Sequence, residues 1–208
     1  MKTYMRASII ISVIGLCVVL GLLVGQTFTA TDGGPAHRQT ADIGRVFELV
    51  DDTGLSVSQD NLRGRYSLIY FGFTYCPDVC PTSLQIITLA LERMETAPEN
   101  NDGAAPIQPI FITVDPERDT PATLNQYVSH FHPRLRGWTG TPAQIDDAMR
   151  AFKVYRARVE DESNADGYTI DHSSIFYLMG PDGNFLTHFD HTVSPEELAA
   201  NLNRIIAG

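Results

Sequence analysis

Two cysteines four residues apart, Cys76 and Cys80, lie in the segment Cys76-Pro77-Asp78-Val79-Cys80-Pro81, directly after the apolar run at residues 67–73. A Cys-x-x-x-Cys pair is neither the Cys-x-x-Cys of dithiol oxidoreductases nor half of an ordinary zinc finger. The run before it reads as a strand and the residues after it as a helix, so the thiols sit at a strand-to-helix turn. Free amides and the positive end of a helix favour the thiolate there, and both metal binding and disulfide exchange need the thiolate. Three uses stay open on this footing: a disulfide that staples a turn, a redox pair, and part of a metal site.

Two thiolates make an incomplete zinc site but suit a soft, low-coordinate ion such as Cu(I), with one imidazole completing a trigonal set. The sequence offers six histidines. His37 lies in a polar stretch near the amino terminus, and His130 and His132 flank Phe131 near a helix end as ordinary surface residues. His188 and His191 bracket Phe189-Asp190 at a strand end, as a weak metal pair or as solvated side chains. His172, in Asp171-His172-Ser173-Ser174, immediately precedes an apolar strand.

The elements that must bring these residues together follow from periodicity and turn chemistry. Residues 47–50 and 55–57, separated by Asp51-Asp52-Thr53-Gly54, predict a short hairpin. Residues 66–73 are apolar on both faces, as in a central strand covered by helices. From Pro81 to Thr96, Leu84, Ile87, Leu91 and Met94 recur at helical spacing. Residues 107–114 predict a second buried strand, Asp119-Thr120-Pro121 opens a helix to about Phe131, and Thr141-Pro142 opens another to about Phe152. Residues 154–159 read as strand or extended chain and 160–167 as a loop. Strands at 174–179 and 184–190 are joined by Gly180-Pro181-Asp182-Gly183, and Ser194-Pro195-Glu196-Glu197 starts a last helix. This order predicts an α/β domain with a thioredoxin-like mixed sheet and helices on both faces. In such a fold the loop entering the strand after His172 lies beside the cysteines, which singles out that histidine.

The amino terminus adds a membrane element. Lys2 and Arg6 precede an uncharged stretch, residues 7–31, whose part at 9–24 is almost wholly aliphatic, long enough to enter or cross a bilayer. A cleavable signal needs a small-x-small site, but Phe28 stands where the first small residue belongs. A lipoprotein signal needs a small residue before Cys17, and Leu16 is there. A retained transmembrane helix at 1–30 is therefore expected, with an uncleaved signal as the other reading. The positive flank puts the short amino-terminal end in the cytoplasm and the rest outside, with residues 31–44 as a tether and 45–208 as the domain. A net charge of −10 argues against a nucleic-acid surface.

Taken together, Gly72-Phe73-Thr74-Tyr75-Cys76-Pro77-Asp78-Val79-Cys80-Pro81, Val114-Asp115-Pro116-Glu117-Arg118-Asp119-Thr120-Pro121 and Asp171-His172-Ser173-Ser174 resemble the signatures of the SCO/SenC family of membrane-anchored copper chaperones for cytochrome c oxidase assembly. The resemblance runs from about Val46 to the carboxyl terminus. It implies Cys76, Cys80 and His172 as copper ligands, the cysteines doubling as a redox disulfide, with Cu(I) as cargo; whether Cu(II) also binds stays open, that ion being one that recruits additional ligands. It implies delivery to the copper-bearing subunit of the oxidase, at its dinuclear centre, with a copper donor or thiol reductant as further partners. It also implies a bacterial inner-membrane protein, single-pass, with the domain in the periplasm; a monomer is the default. Asp78 is a candidate for tuning the thiols, and Asp171 for orienting the imidazole from behind. For Asp115, Arg118 and Asp119 the expectation is a turn with a local ion pair and a helix cap. Rival activities for the pair are a thiol-disulfide oxidoreductase, a thiol peroxidase, and a redox or copper sensor.

Overall fold

The computed structural model describes residues 43–96, 107–162, 164 and 166–207, all within the unit Thr40–Gly208. The expected membrane helix at 1–30 and nearly all of the tether lie outside the described residues. Among those described, no helix is long and apolar enough to cross a membrane.

Along the chain the elements are β1 (Glu48–Asp51), β2 (Ser56–Ser58), a short 3-10 helix (Gln59–Leu62), β3 (Ser67–Gly72), α1 (Val79–Thr96), β4 (Gln108–Thr113), α2 (Pro121–Val128), β5 (Arg136–Thr139), α3 (Pro142–Phe152), β6 (Arg156–Glu160), β7 (Tyr168–His172), β8 (Ile175–Met179), β9 (Phe185–Asp190) and α4 (Pro195–Ala207). Seven strands form one mixed sheet in the order β2-β1-β5-β4-β3-β8-β9, and β6 and β7 form a separate ribbon. β3 is buried at every position, as its apolar run requires of a central strand. It pairs in parallel with β4, Tyr70 opposite Phe111, and antiparallel with β8, Tyr70 opposite Phe176. β9 alternates half-buried with exposed residues along its length, the pattern of an edge strand with one covered face.

Alternation along β3 assigns the helices to faces. Tyr70 stacks near Phe111, which packs on Tyr127 of α2, and Tyr70 also reaches Cys80 of α1. Phe71, next along the strand, packs on Phe152 of α3 and on Tyr177. α4 lies beside α1, with an Arg93–Glu196 ion pair between them. The sheet is therefore covered on both sides, as expected of a thioredoxin-like domain.

Three local expectations change. β5 is absent from the sequence reading, because four residues, Arg-Gly-Trp-Thr, are too few to show a period; the sheet creates it by pairing in parallel with β4. Gly137 is required there, since a Cβ would stand 2.8 Å from Leu124 Cβ of α2. α2 ends at Val128 and not near Phe131. His132 is no surface residue: it is 3% exposed, its backbone amide donates to Thr88 Oγ1 of α1 at 3.2 Å, and its Nδ1 accepts from the Arg134 amide at 3.2 Å.

Candidate metal and redox site

The thiol loop leaves β3 at Gly72 and enters α1 at Val79. Pro77 and Pro81 carry no amide hydrogen, so the free donors at this helix start belong to the residues between them. The Cys80 amide donates to Cys76 Sγ at 3.4 Å, and the Asp78 amide also serves that sulfur. Cys76 thus takes the place of a capping side chain. Cys80, one helical turn on, faces the sheet and is fully buried, while Cys76 is half-buried, and both are free thiols. Gly72 makes room for this: a Cβ there would come within 2.8 Å of Cys80 Sγ and 2.7 Å of the Phe111 ring.

The two thiols are not equivalent. A hydrogen bond from Cys80, with the Asp78 and Cys80 amides and the nearby His172, lowers the Cys76 pKa to about 5 despite partial burial. Cys80 is pushed up, because it donates that hydrogen bond and is desolvated. The pair is a Cys76 thiolate beside a Cys80 thiol. Tyr70 adds a buried phenol donating to Cys80 Sγ at 3.7 Å.

His172 arrives from the other side. The expectation of a loop is corrected here, since His172 is the last residue of β7, opposite Arg156 of β6. Its Nε2 lies 3.6 Å from Cys80 Sγ, and its Nδ1 is 3.0 Å from the Ser173 carbonyl. That carbonyl accepts, so Nδ1 carries a proton, and in the neutral ring Nε2 presents its lone pair to the thiols. Phe73 and Tyr70 meet the ring edge-on, with centroids 5.9 and 6.3 Å away. Among the described residues no group of three or more His, Cys, Asp and Glu stands at metal-holding spacing.

A scan against family models matches residues 35–207 to SCO1/SenC. The chain belongs to that family. A SCO2-like protein of Rickettsia conorii is 41% identical over 95% of this chain and 97% of its own length. A structure of Arabidopsis thaliana ScoI with copper bound is 38% identical, with TM-score 0.73 over 79% of this chain and 98% of that one. One of Bradyrhizobium japonicum ScoI with copper bound is 44% identical, with TM-score 0.67 over 78% and 98%.

In this SCO1/SenC chain the remaining sequence candidates are placed as follows. Asp78 is exposed and its carboxylate faces Thr82 Oγ1 at 3.4 Å; it reaches the thiols through its backbone amide. Asp171 is exposed and pairs with Ala157 in the ribbon, while the partner of His172 Nδ1 is the Ser173 carbonyl. His130 is exposed, and His188 and His191 lie on and just after the edge strand β9, with His191 facing Asp190 at 3.5 Å. The acidic loop holds more than was expected of it. Thr120, not Asp119, caps α2. Asp119 is fully buried and accepts from the Thr74 amide at 3.0 Å, Thr74 Oγ1 at 2.5 Å and Thr113 Oγ1 at 2.6 Å. It ties the thiol loop to β4, and burial raises its pKa. Sequence reasoning missed Asp119 and Tyr70 because an acid before a helix and a tyrosine within a strand both have ordinary local explanations.

Proposed function

We propose that this protein is a copper chaperone that holds Cu(I) with the Cys76 and Cys80 thiolates and His172 Nε2 and passes it to the dinuclear copper centre of cytochrome c oxidase. The observation that carries the reading is the 3.6 Å approach of His172 Nε2 to Cys80 Sγ. Thiolate and imidazole donors stand about 2.3 and 2.0 Å from a first-row ion, so at trigonal angles the two atoms are about 3.7 Å apart. An ion fits between them with almost no movement, and Cys76 supplies the third donor by turning from the helix amides. Copper in the Arabidopsis and Bradyrhizobium relatives and the family's association with oxidase assembly support the choice of cargo and recipient. A three-donor site whose Cys76 and His172 are only half-buried can exchange ligands one at a time with a recipient, whereas a closed cage cannot. The retained helix at 1–30 would hold the domain on the outer face of the inner membrane, beside that recipient.

Thiol-disulfide exchange is the second reading, favoured by one specific observation: Cys76, the more exposed thiol, has a pKa of about 5, suited to attack on a disulfide. Attack by the Cys76 thiolate on a partner disulfide would release one partner thiolate, and Cys80 would then displace the second while forming the Cys76–Cys80 disulfide.

Anaerobic Cu(I) titration of the reduced domain, beside Cys76→Ser, Cys80→Ser and His172→Ala, separates the readings. One equivalent bound, and lost or weakened in all three variants, supports delivery. No stoichiometric copper, or a His172→Ala variant with unchanged copper coordination, overturns it. A His172→Ala variant that keeps full function in cells while both cysteine variants lose it makes thiol exchange the principal role.

A further inference from the structure

The two halves of the site come from separate pieces of structure. The thiols ride on the loop between β3 and α1, and His172 ends a two-stranded ribbon that shares no ladder with the main sheet. A side chain from neither piece touches both. Arg118 is 9% exposed, and its guanidinium carbon lies 5.7 Å from the Phe73 ring centroid and 4.7 Å from that of Tyr75, both in the thiol loop. On its other side it lies 3.9 Å from the ring of Tyr168, at the start of β7. Its Nε pairs with Asp115, whose carboxylate also accepts from Tyr168 Oη at 3.2 Å. Its Nη1 is 3.4 Å from Asp166 and 3.5 Å from the Tyr168 carbonyl. Phe73, which it touches, is itself edge-on to His172.

We infer that Arg118 is the positioning residue of the site, a brace between the thiol loop and the ribbon that sets the Cys80–His172 separation. The planar guanidinium is what the place requires. It stacks on aromatic faces and pairs with a buried carboxylate at once, which an ammonium cannot do. A merely local ion pair with Asp115 would need neither the contacts to Phe73 and Tyr75 nor the grip on Asp166 and the Tyr168 carbonyl. Without the brace, ribbon and loop keep their own hydrogen bonds but lose their common reference, and the imidazole drifts from the thiol. The inference deepens the copper reading, yet its first test needs no metal.

The test is Arg118→Lys in the reduced, metal-free protein. Where this variant does not fold, Arg118→Met with Asp115→Asn replaces it, removing both buried charges together so that neither is left unpaired. The readout is the proton–proton Overhauser contact between the His172 ring and the Cys80 methylene, with the remaining amide spectrum as the control for folding. Loss of that contact while the remaining amide spectrum stays as in the parent supports the inference; a retained contact overturns it. Cu(I) affinity is then measured for Arg118→Lys, His172→Ala and the double variant. Outer partners of metal ligands commonly change affinity about 10–100-fold, so Arg118→Lys should weaken copper about tenfold in the parent but less than about twofold when His172 is already gone. An equal loss in both backgrounds overturns the inference. A lost Overhauser contact with His172→Ala leaving copper coordination unchanged supports the brace and removes the three-ligand reading.

Discussion

At the scale of residues, asymmetry is the chemistry of this thiol pair. Cys76 collects two helix-start amides and a thiol hydrogen bond, while Cys80 is sealed under Tyr70 and the sheet. Alkylation of the reduced protein by iodoacetamide should therefore modify Cys76 first, with a rate already near its plateau at pH 6–7, where an ordinary thiol of pKa about 8.5 is mostly protonated. Cys80→Ala removes the largest stabilising contact and should move the midpoint of that profile up; mass spectrometry against pH checks both. A parent midpoint near 8.5 would contradict the asymmetry. Tyr70→Phe removes the phenol that donates to Cys80 without changing the packing area. It should leave the fold intact, costing about 0.5–1.5 kcal/mol in a urea titration.

At the scale of elements, two tight junctions hold the site. Gly72 lets β3 pass under Cys80, and Gly72→Ala forces a Cβ against Cys80 Sγ and Phe111. Overpacking of this kind costs about 1–3 kcal/mol, read as a lower denaturation midpoint. Copper binding should fall with it, since the atom displaced is one of the three proposed donors. Asp119 is the other junction, tying the thiol loop to β4 through Thr74 and Thr113. Asp119→Ala strands the half-buried Thr74 amide and hydroxyl and the buried Thr113 hydroxyl, with an expected loss of up to about 1–3 kcal/mol for each donor left unpaired. Chemical denaturation measures it, and a loss below 0.5 kcal/mol, within the usual surface range, would show that solvent reaches the loop.

At the scale of the whole molecule, charge and redox state act on the same domain. Cys76 has a folded pKa below its unfolded value, so its contribution to stability is full above about pH 9 and is lost as pH falls through about 5. Burial lowers the His132 pKa as well; its contribution is present above about pH 6.5 and is lost as pH falls through the folded value. The two have the same sign. Asp119, its pKa raised by burial, acts in the opposite sense as pH rises, so the outcome is read as a difference: between pH 8 and pH 5 the combined Cys76→Ala and His132→Asn variant should lose less urea midpoint than the parent. Oxidation to a Cys76–Cys80 disulfide takes away two of the three proposed donors, so Cu(I) uptake should vanish in the oxidised protein and return with reductant.

How much of this was legible beforehand depended on how local each cause is. The α/β order, the buried central strand, the capped helices and the hairpin turns are written in short-range periodicity and turn chemistry, so the sequence by itself determined them. So did the thiol spacing at a helix start, because five consecutive residues set it. The short strand β5, the burial of His132, the place of His172 at the end of β7, and the clasping by Asp119 and Arg118 were decided by tertiary structure alone. Each depends on which surfaces the chain brings together across dozens of residues: β4 offering an edge to 136–139, α1 covering His132, and the ribbon folding back over the thiol loop. A lone histidine or arginine carries no period to announce such a meeting. Long-range packing gives the imidazole its 3.6 Å approach to Cys80, and that distance makes a pair of cysteines into a candidate metal centre.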